Sequence, residues 1–244
     1  MASVPFALTL AEVDWAAALV RDVVPATPAF RWPLLCDRLG VDVTLKHENH
    51  TPLGAFKLRG GLTYVAALRE RLPHVTRLVS ATRGNHGQSI AFAAARAGLR
   101  ATLVVPEGNS PEKNAAMRAH GAELVVHGRD FDDAKAHAQA LVASDEHAHF
   151  VPSYHRDLVV GVATYARELF AAAFDVVYVP IGLGSGISGV IAVRDLLGVH
   201  TEVVGVVAER FPAYARSVER GASVETEPAE SVADGMAVRA TDPA

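Results

Sequence analysis

A single cysteine, Cys36, in 244 residues has no partner for a disulfide within the chain, so nothing here rests on covalent cross-links. No catalytic-cysteine signature surrounds it, and a buried structural thiol is the expectation. Basic charge is also scarce. The 23 Lys and Arg residues are outnumbered by 27 Asp and Glu and are scattered along the chain, which leaves no electrostatic footprint for nucleic acid. Apolar runs stop short of the roughly 18 residues that a membrane-crossing helix needs, and no basic segment leading into an apolar one opens the chain. The expectation is a soluble, untargeted protein in a reducing cytoplasm. Internal repeats and low-complexity tracts are absent too, so composition draws no domain boundary. Histidine is plentiful, at eleven residues, but the closest pair, His147 and His149, lacks the spacing of a metal-binding motif. No metal site is expected.

Half of the residues are hydrophobic, enough to bury a substantial core. Thr9 and Glu12 form a capping box that opens an amphipathic helix running to about Asp22, and the prolines between Pro25 and Pro33 interrupt it. Beyond them, short β-branched runs alternate with longer segments of helical period. Strands are expected near residues 41–46, 75–80, 101–105, 123–127, 176–180 and 202–208, with helices between them. One helix begins near Ala55 and aligns Leu58, Leu62, Val65, Leu68 and Leu72; another starts at Ser110 and closes at Gly121. This alternation predicts an α/β fold with a mostly parallel sheet covered on both faces, and ligand sites at the carboxyl ends of its strands.

Three segments at such positions carry chemistry. In Gly54-Ala55-Phe56-Lys57-Leu58-Arg59-Gly60-Gly61 a lysine stands in the first turn of a helix between apolar neighbours. Desolvation and the positive helix end both lower its pKa and free the amine for nucleophilic work, while the bland reading is a lysine snorkelling to solvent. The stretch Ser80-Ala81-Thr82-Arg83-Gly84-Asn85-His86-Gly87-Gln88-Ser89 reads either as a plain cap or as a turn whose uncovered N–H groups dock a carboxylate. Pro180-Ile181-Gly182-Leu183-Gly184-Ser185-Gly186-Ile187-Ser188-Gly189 follows an apolar strand and opens a helix, the form of a phosphate cradle. Gly184, Gly186 and Gly189 also satisfy a dinucleotide fingerprint with Glu209 as the ribose acid, but too few strand–helix units follow for that domain.

Taken together, these segments resemble the fold-type-II pyridoxal-phosphate enzymes (tryptophan synthase β-like), specifically the threonine dehydratase and serine racemase group. Val206-Val207-Ala208-Glu209 and Ala233-Asp234-Gly235 extend the match. The resemblance implies two open, twisted α/β domains: a large cofactor-binding one from residues 1–74 and 153–244, and a small one from 75–152. It also implies that relatives continue beyond the segment matching Ala233-Asp234-Gly235, so that the C-terminal part of the large domain is missing here. By the same resemblance Lys57 holds pyridoxal 5'-phosphate covalently, Phe56 and Asn85 contact it, and residues Gly182, Leu183, Gly184, Ser185 and Gly186 hold its phosphate. Thr82, Arg83, Gly84, Asn85 and His86 would bind the amino-acid substrate. The implied activity is dehydration of a threonine-like or serine-like amino acid to a 2-oxo acid and ammonia by a homodimer; a weakened or non-catalytic binding fragment is the alternative, and a nicotinamide-dependent dehydrogenase a more remote one. Departures exist. Ala55 and Leu53 replace a common serine and threonine, and Arg83 stands where serine racemases carry a serine, which predicts elimination without racemisation. Glu209 matches one ligand of the racemase cation site, but Ala215 falls where a second carboxylate is expected, leaving a weak metal candidate.

Overall fold

The computed structural model describes residues 7–227 and 231–241. Helix α1 (Leu10–Arg21) opens with the capping box: Thr9 Oγ1 accepts from the Glu12 N–H and the Glu12 carboxylate accepts from the Thr9 N–H. Next comes a small excursion that periodicity does not announce. Strand β1 (Ala29–Arg31) pairs antiparallel with β2 (Thr44–Lys46) around the short helix α2 (Pro33–Leu39), which Pro33 starts at its first position. The strand expected over residues 41–46 is therefore shorter than the sequence suggested and lies outside any parallel sheet. Cys36 is buried in α2.

Helix α3 (Lys57–Arg71) leads into the main sheet, built from β3 (Arg77–Ala81), β4 (Arg100–Val105), β5 (Glu123–Val126) and β6 (Ala148–Phe150) in the order β5-β4-β3-β6, all parallel. Between those strands run α4 (Asn85–Arg96), α5 (Pro111–Ala119) and α6 (Phe131–Ala143). The period of two along β3 sends Leu78 to a core shared with α3 and α4, and Val79 and Ala81 to a second core against Ala134 and Ala138 of α6. Both faces of this sheet are covered, as the run of buried residues predicts.

After the sheet the chain returns to helix α7 (Arg156–Leu169), which is apolar on nearly every side and correspondingly buried. Glycines let its backbone touch two neighbours. A Cβ on Gly161 would lie 2.3 Å from the Arg59 carbonyl oxygen of α3, and one on Gly189 of α8 (Ser185–Leu197) 3.1 Å from the Ala163 nitrogen. The starts of α3 and α8 are thereby drawn to one place. Strands β7 (Val176–Pro180) and β8 (Glu202–Val206) flank α8 as a parallel pair, followed by α9 (Ala213–Arg220) and a 3₁₀ turn over Asp234–Met236.

A buried ion network fixes α3 from below. Arg59, with no exposed surface, meets Glu48 at 2.8 Å and Glu168 at 2.7 Å, while Lys46 reaches Glu168 at 2.5 Å. Removing one partner would strand a charge in the interior, so the cluster acts as an all-or-none anchor two residues from Lys57.

Candidate active site

Strand β7 ends at Pro180, and the chain turns through Gly184 into α8. Gly184 has φ 93°, a left-handed conformation that a side chain resists. Among the described residues, the N–H groups of Gly182, Leu183, Gly184, Ser185 and Gly186 find no acceptor within the chain. Five consecutive free donors at the positive end of a helix suit a doubly charged anion. The loop is braced from behind: the Tyr165 hydroxyl donates to the Gly186 carbonyl at 3.1 Å, and Tyr154 pairs with the Ser188 hydroxyl at 3.0 Å.

Lys57 sits at the first position of α3 and donates from Nζ to Ser185 Oγ at 2.8 Å, so its amine lies at the rim of that cradle. Its ammonium also stands 5.2 Å from the centre of the Phe56 ring, and Phe56 in turn packs edge-on against Tyr165. Burial pulls the Lys57 pKa down to about 8, so about a tenth is free amine at pH 7. The side chain is not snorkelling; it points into the protein toward α8.

The third element is the turn from β3 into α4. Here the expectation of uncovered N–H groups across residues 82–85 needs correcting. The Thr82 N–H continues the sheet to the Val104 carbonyl at 3.0 Å, and Thr82 Oγ1 accepts from both Gly84 and Gly87 at 3.0 Å. A threonine hydroxyl acting as a local cap consumes two donors that the sequence left open. Arg83, Asn85 and His86 retain N–H groups without an acceptor among the described residues, a smaller anion site at the start of α4. The His86 ring turns inward, with Nε2 3.1 Å from Ser80 Oγ. Burial, then the nearby positive charge of Lys57, holds its pKa down at about 3, so the imidazole is neutral. Asn85 and Arg83 are exposed at the turn. The Ser89 hydroxyl donates to the Lys57 carbonyl at 2.7 Å and ties α4 to α3.

Helix starts at Lys57, Asn85 and Ser185 thus gather an amine, a small anion site and a larger one. Sequence reasoning did not single out Tyr154 or Tyr165 and gave Ser89 no role, because each is an ordinary core or helix residue until its partner arrives from elsewhere in the chain. Glu209 lies apart. It is exposed just beyond β8 on an open cavity of about 720 Å³ that Ala208, Arg210, Ser231 and Val232 also line. Among the described residues no three His, Cys, Asp or Glu side chains come together as metal ligands, and no helix is long and apolar enough to cross a membrane.

Known proteins resemble the chain along most of its length. Residues 20–244 match the family model described as pyridoxal-phosphate dependent enzyme. A biosynthetic L-threonine dehydratase of Pasteurella multocida is 32% identical over 222 residues, covering 90% of this chain and 43% of that protein. An L-threonine ammonia-lyase of Geobacter sulfurreducens is 35% identical over 208 residues, covering 83% of this chain and 51% of its own length. The chain therefore spans about half, or less, of these curated relatives. Among solved structures, a threonine deaminase of T.th. superposes with a TM-score of 0.87 at 30% identity, covering 96% of this chain and 76% of that one. The processed threonine deaminase isoform 2 of Solanum lycopersicum superposes at 0.85 with 28% identity, covering 100% and 69%.

Proposed function

The chain belongs to the pyridoxal-phosphate-dependent enzyme family, and from that premise we propose that it is an ammonia-lyase acting on a β-hydroxy amino acid of the threonine or serine kind. The observation that carries this reading is the Lys57 amine, its pKa lowered to about 8, held on Ser185 beside five N–H groups that find no acceptor among the described residues. A lone anion cradle would suit many ligands. An amine poised at its rim suits one that bears both a phosphate and a carbonyl.

In this reading Lys57 would hold the cofactor, residues 182–186 would bind its phosphate, and Phe56 and Asn85 would contact it. Bound pyridoxal phosphate supplies a cationic conjugated ring that spreads negative charge from the substrate Cα. The N–H groups of Arg83, Asn85 and His86 bind the substrate carboxylate, which replaces the wider set expected from sequence. With substrate bound, the free amine of Lys57 would take the Cα proton at Nζ. Loss of the β-hydroxyl as water and hydrolysis of the released enamine then give a 2-oxo acid and ammonia. Neutral His86 takes no proton in this scheme; its ring orients the start of α4. Residues 75–152, which contain the four-stranded sheet, are read as the small domain, with residues 1–74 and 153–244 as the large one. A cytoplasmic homodimer is the setting this reading implies, to be tested by sedimentation. Family membership favours this cofactor over the nicotinamide alternative raised by the glycine spacing.

The test is chemical. Protein mixed with pyridoxal phosphate should absorb in the visible, borohydride should bleach it, and the label should map to the peptide bearing Lys57. Lys57→Ala should lose the label and at least about a thousandfold of 2-oxo acid formation from threonine or serine. A borohydride-fixed label surviving in that variant would overturn the assignment.

A further inference from the structure

Lys113, in the first turn of α5, is not needed to build either anion site, yet it lies across one of them. A Cβ on Gly84 would approach Lys113 Cδ to 2.7 Å, so the lysine stem covers the turn that opens α4. Its ammonium continues over that turn to pair with the carboxylate of Asp234, 121 residues further along the chain. The segment that carries Asp234 touches the other site as well: a Cβ on Gly182 would come within 2.5 Å of the Gly235 carbonyl oxygen. Beyond Asp234 the same segment is tied to itself, Arg239 pairing with Glu225 at 2.6 Å. Thr226 secures Arg239 in turn, its N–H donating to the Arg239 carbonyl at 2.8 Å and its own carbonyl accepting from Arg239 Nε at 3.2 Å.

We propose that Lys113 and Asp234 form a latch that holds the start of α4 against the glycine loop after β7, making both of them positioning residues for substrate-carboxylate binding. The physical argument is one of reach. α4 and α5 belong to the four-stranded sheet, whereas the glycine loop belongs to the β7–α8 unit, and a carboxylate on one must stay in register with a phosphate on the other. The lysine stem at Gly84 and the Gly235 carbonyl at Gly182 place the two ends of the latch directly on the two sites. A side chain at residue 84 would meet the stem and make it shift. The proposal rests on the reading of the α4 start as the substrate-carboxylate site. Neither Lys113 nor Asp234 touches a reacting atom in it.

A charge exchange decides the matter, using holoenzyme and the variants Lys113→Glu, Asp234→Lys, Asp234→Asn and the double Lys113→Glu/Asp234→Lys. Because a partly exposed pair contributes up to about 1 kcal/mol, each single variant should raise the amino-acid KM about threefold to fivefold, with kcat within about twofold of wild type. The double variant should return KM to within about twofold of wild type, since opposite charges again face each other. Wild-type KM should also climb with ionic strength, and Asp234→Asn should lose most of that dependence. A readout free of turnover accompanies these: amide hydrogen exchange at residues 83–86 and 231–241 should quicken in the single variants and slow again in the double. A double variant no better than the worse single would overturn the latch. So would Asp234→Asn leaving KM and exchange unchanged while Lys113→Glu raises KM, because Lys113 would then meet the carboxylate itself. Should the protein take up no pyridoxal phosphate and act on no amino acid, the proposed activity fails, while the exchange data on the same variants still judge the latch.

Discussion

The turn between β3 and α4 follows a strand paired on both sides, with β4 and β6, whereas the turn between β7 and α8 follows a strand whose partner among the described residues is β8 alone. Strand β3 is buried from Leu78 to Ala81; in β7 only Val179 is buried, and Tyr178 is 70% exposed. Yet the second turn holds the larger donor set. Its support comes from helices: Tyr165 and Tyr154 brace α8, Gly189 packs on Ala163, and Lys57 reaches Ser185. Backbone donors at the end of a strand can therefore be positioned by a sheet or by helix packing, and this molecule uses both within one site.

The difference in burial predicts the largest contrast in stability. Leu103→Ala in β4, wholly buried, should lower unfolding free energy by about 2 to 5 kcal/mol in denaturant titration, through lost burial and a cavity. Tyr178→Ala in β7 should change it by less than about 0.5 kcal/mol. Comparable losses in the two would mean that the β7–β8 pair carries hidden packing and that the contrast is false.

The two glycine turns should separate as well, by a smaller margin. Gly184→Ala forces a side chain into a left-handed conformation and should cost about 1 to 2 kcal/mol, with a weaker pyridoxal phosphate complex by fluorescence titration. Gly84→Ala meets only a flexible lysine stem, so its cost should stay below about 1 kcal/mol and fall on amino-acid affinity more than on cofactor affinity. Equal effects on cofactor binding would contradict the separate roles given to the two turns.

The smallest effect is one of pH and belongs to the lysine between the turns. With Lys57 near 8, the free-amine fraction grows about tenfold from pH 7 to pH 9, and the rate of borohydride-trappable cofactor capture should rise with it. The sign for stability agrees. In the cofactor-free protein the folded-state pKa lies below the ordinary value of 10.5, so the unfolded chain binds more protons between about 8 and 10.5 and stability rises with pH across that window. His86, held near 3, adds nothing to that slope. A capture rate flat over this range would mean that Lys57 is not the titrating amine.

Much of this was legible in the chain because it depends on neighbours in sequence. The Thr9–Glu12 capping box, the alternation of strands and helices, the glycine turns before α4 and α8, and an apolar-flanked lysine at a helix start are local patterns, and each took the form its local physics requires. What local pattern could not supply depends on partners far along the chain. Strands β1 and β6, three residues each, exist only because another edge accepts their hydrogen bonds, and the amine of Lys57 meets Ser185 because α7 packs tightly against both α3 and α8. The sequence by itself determined which groups could do chemistry. Tertiary structure decided which of them remain unpaired and share one site, because burial and long-range hydrogen bonding are settled only when elements remote in sequence close on one another.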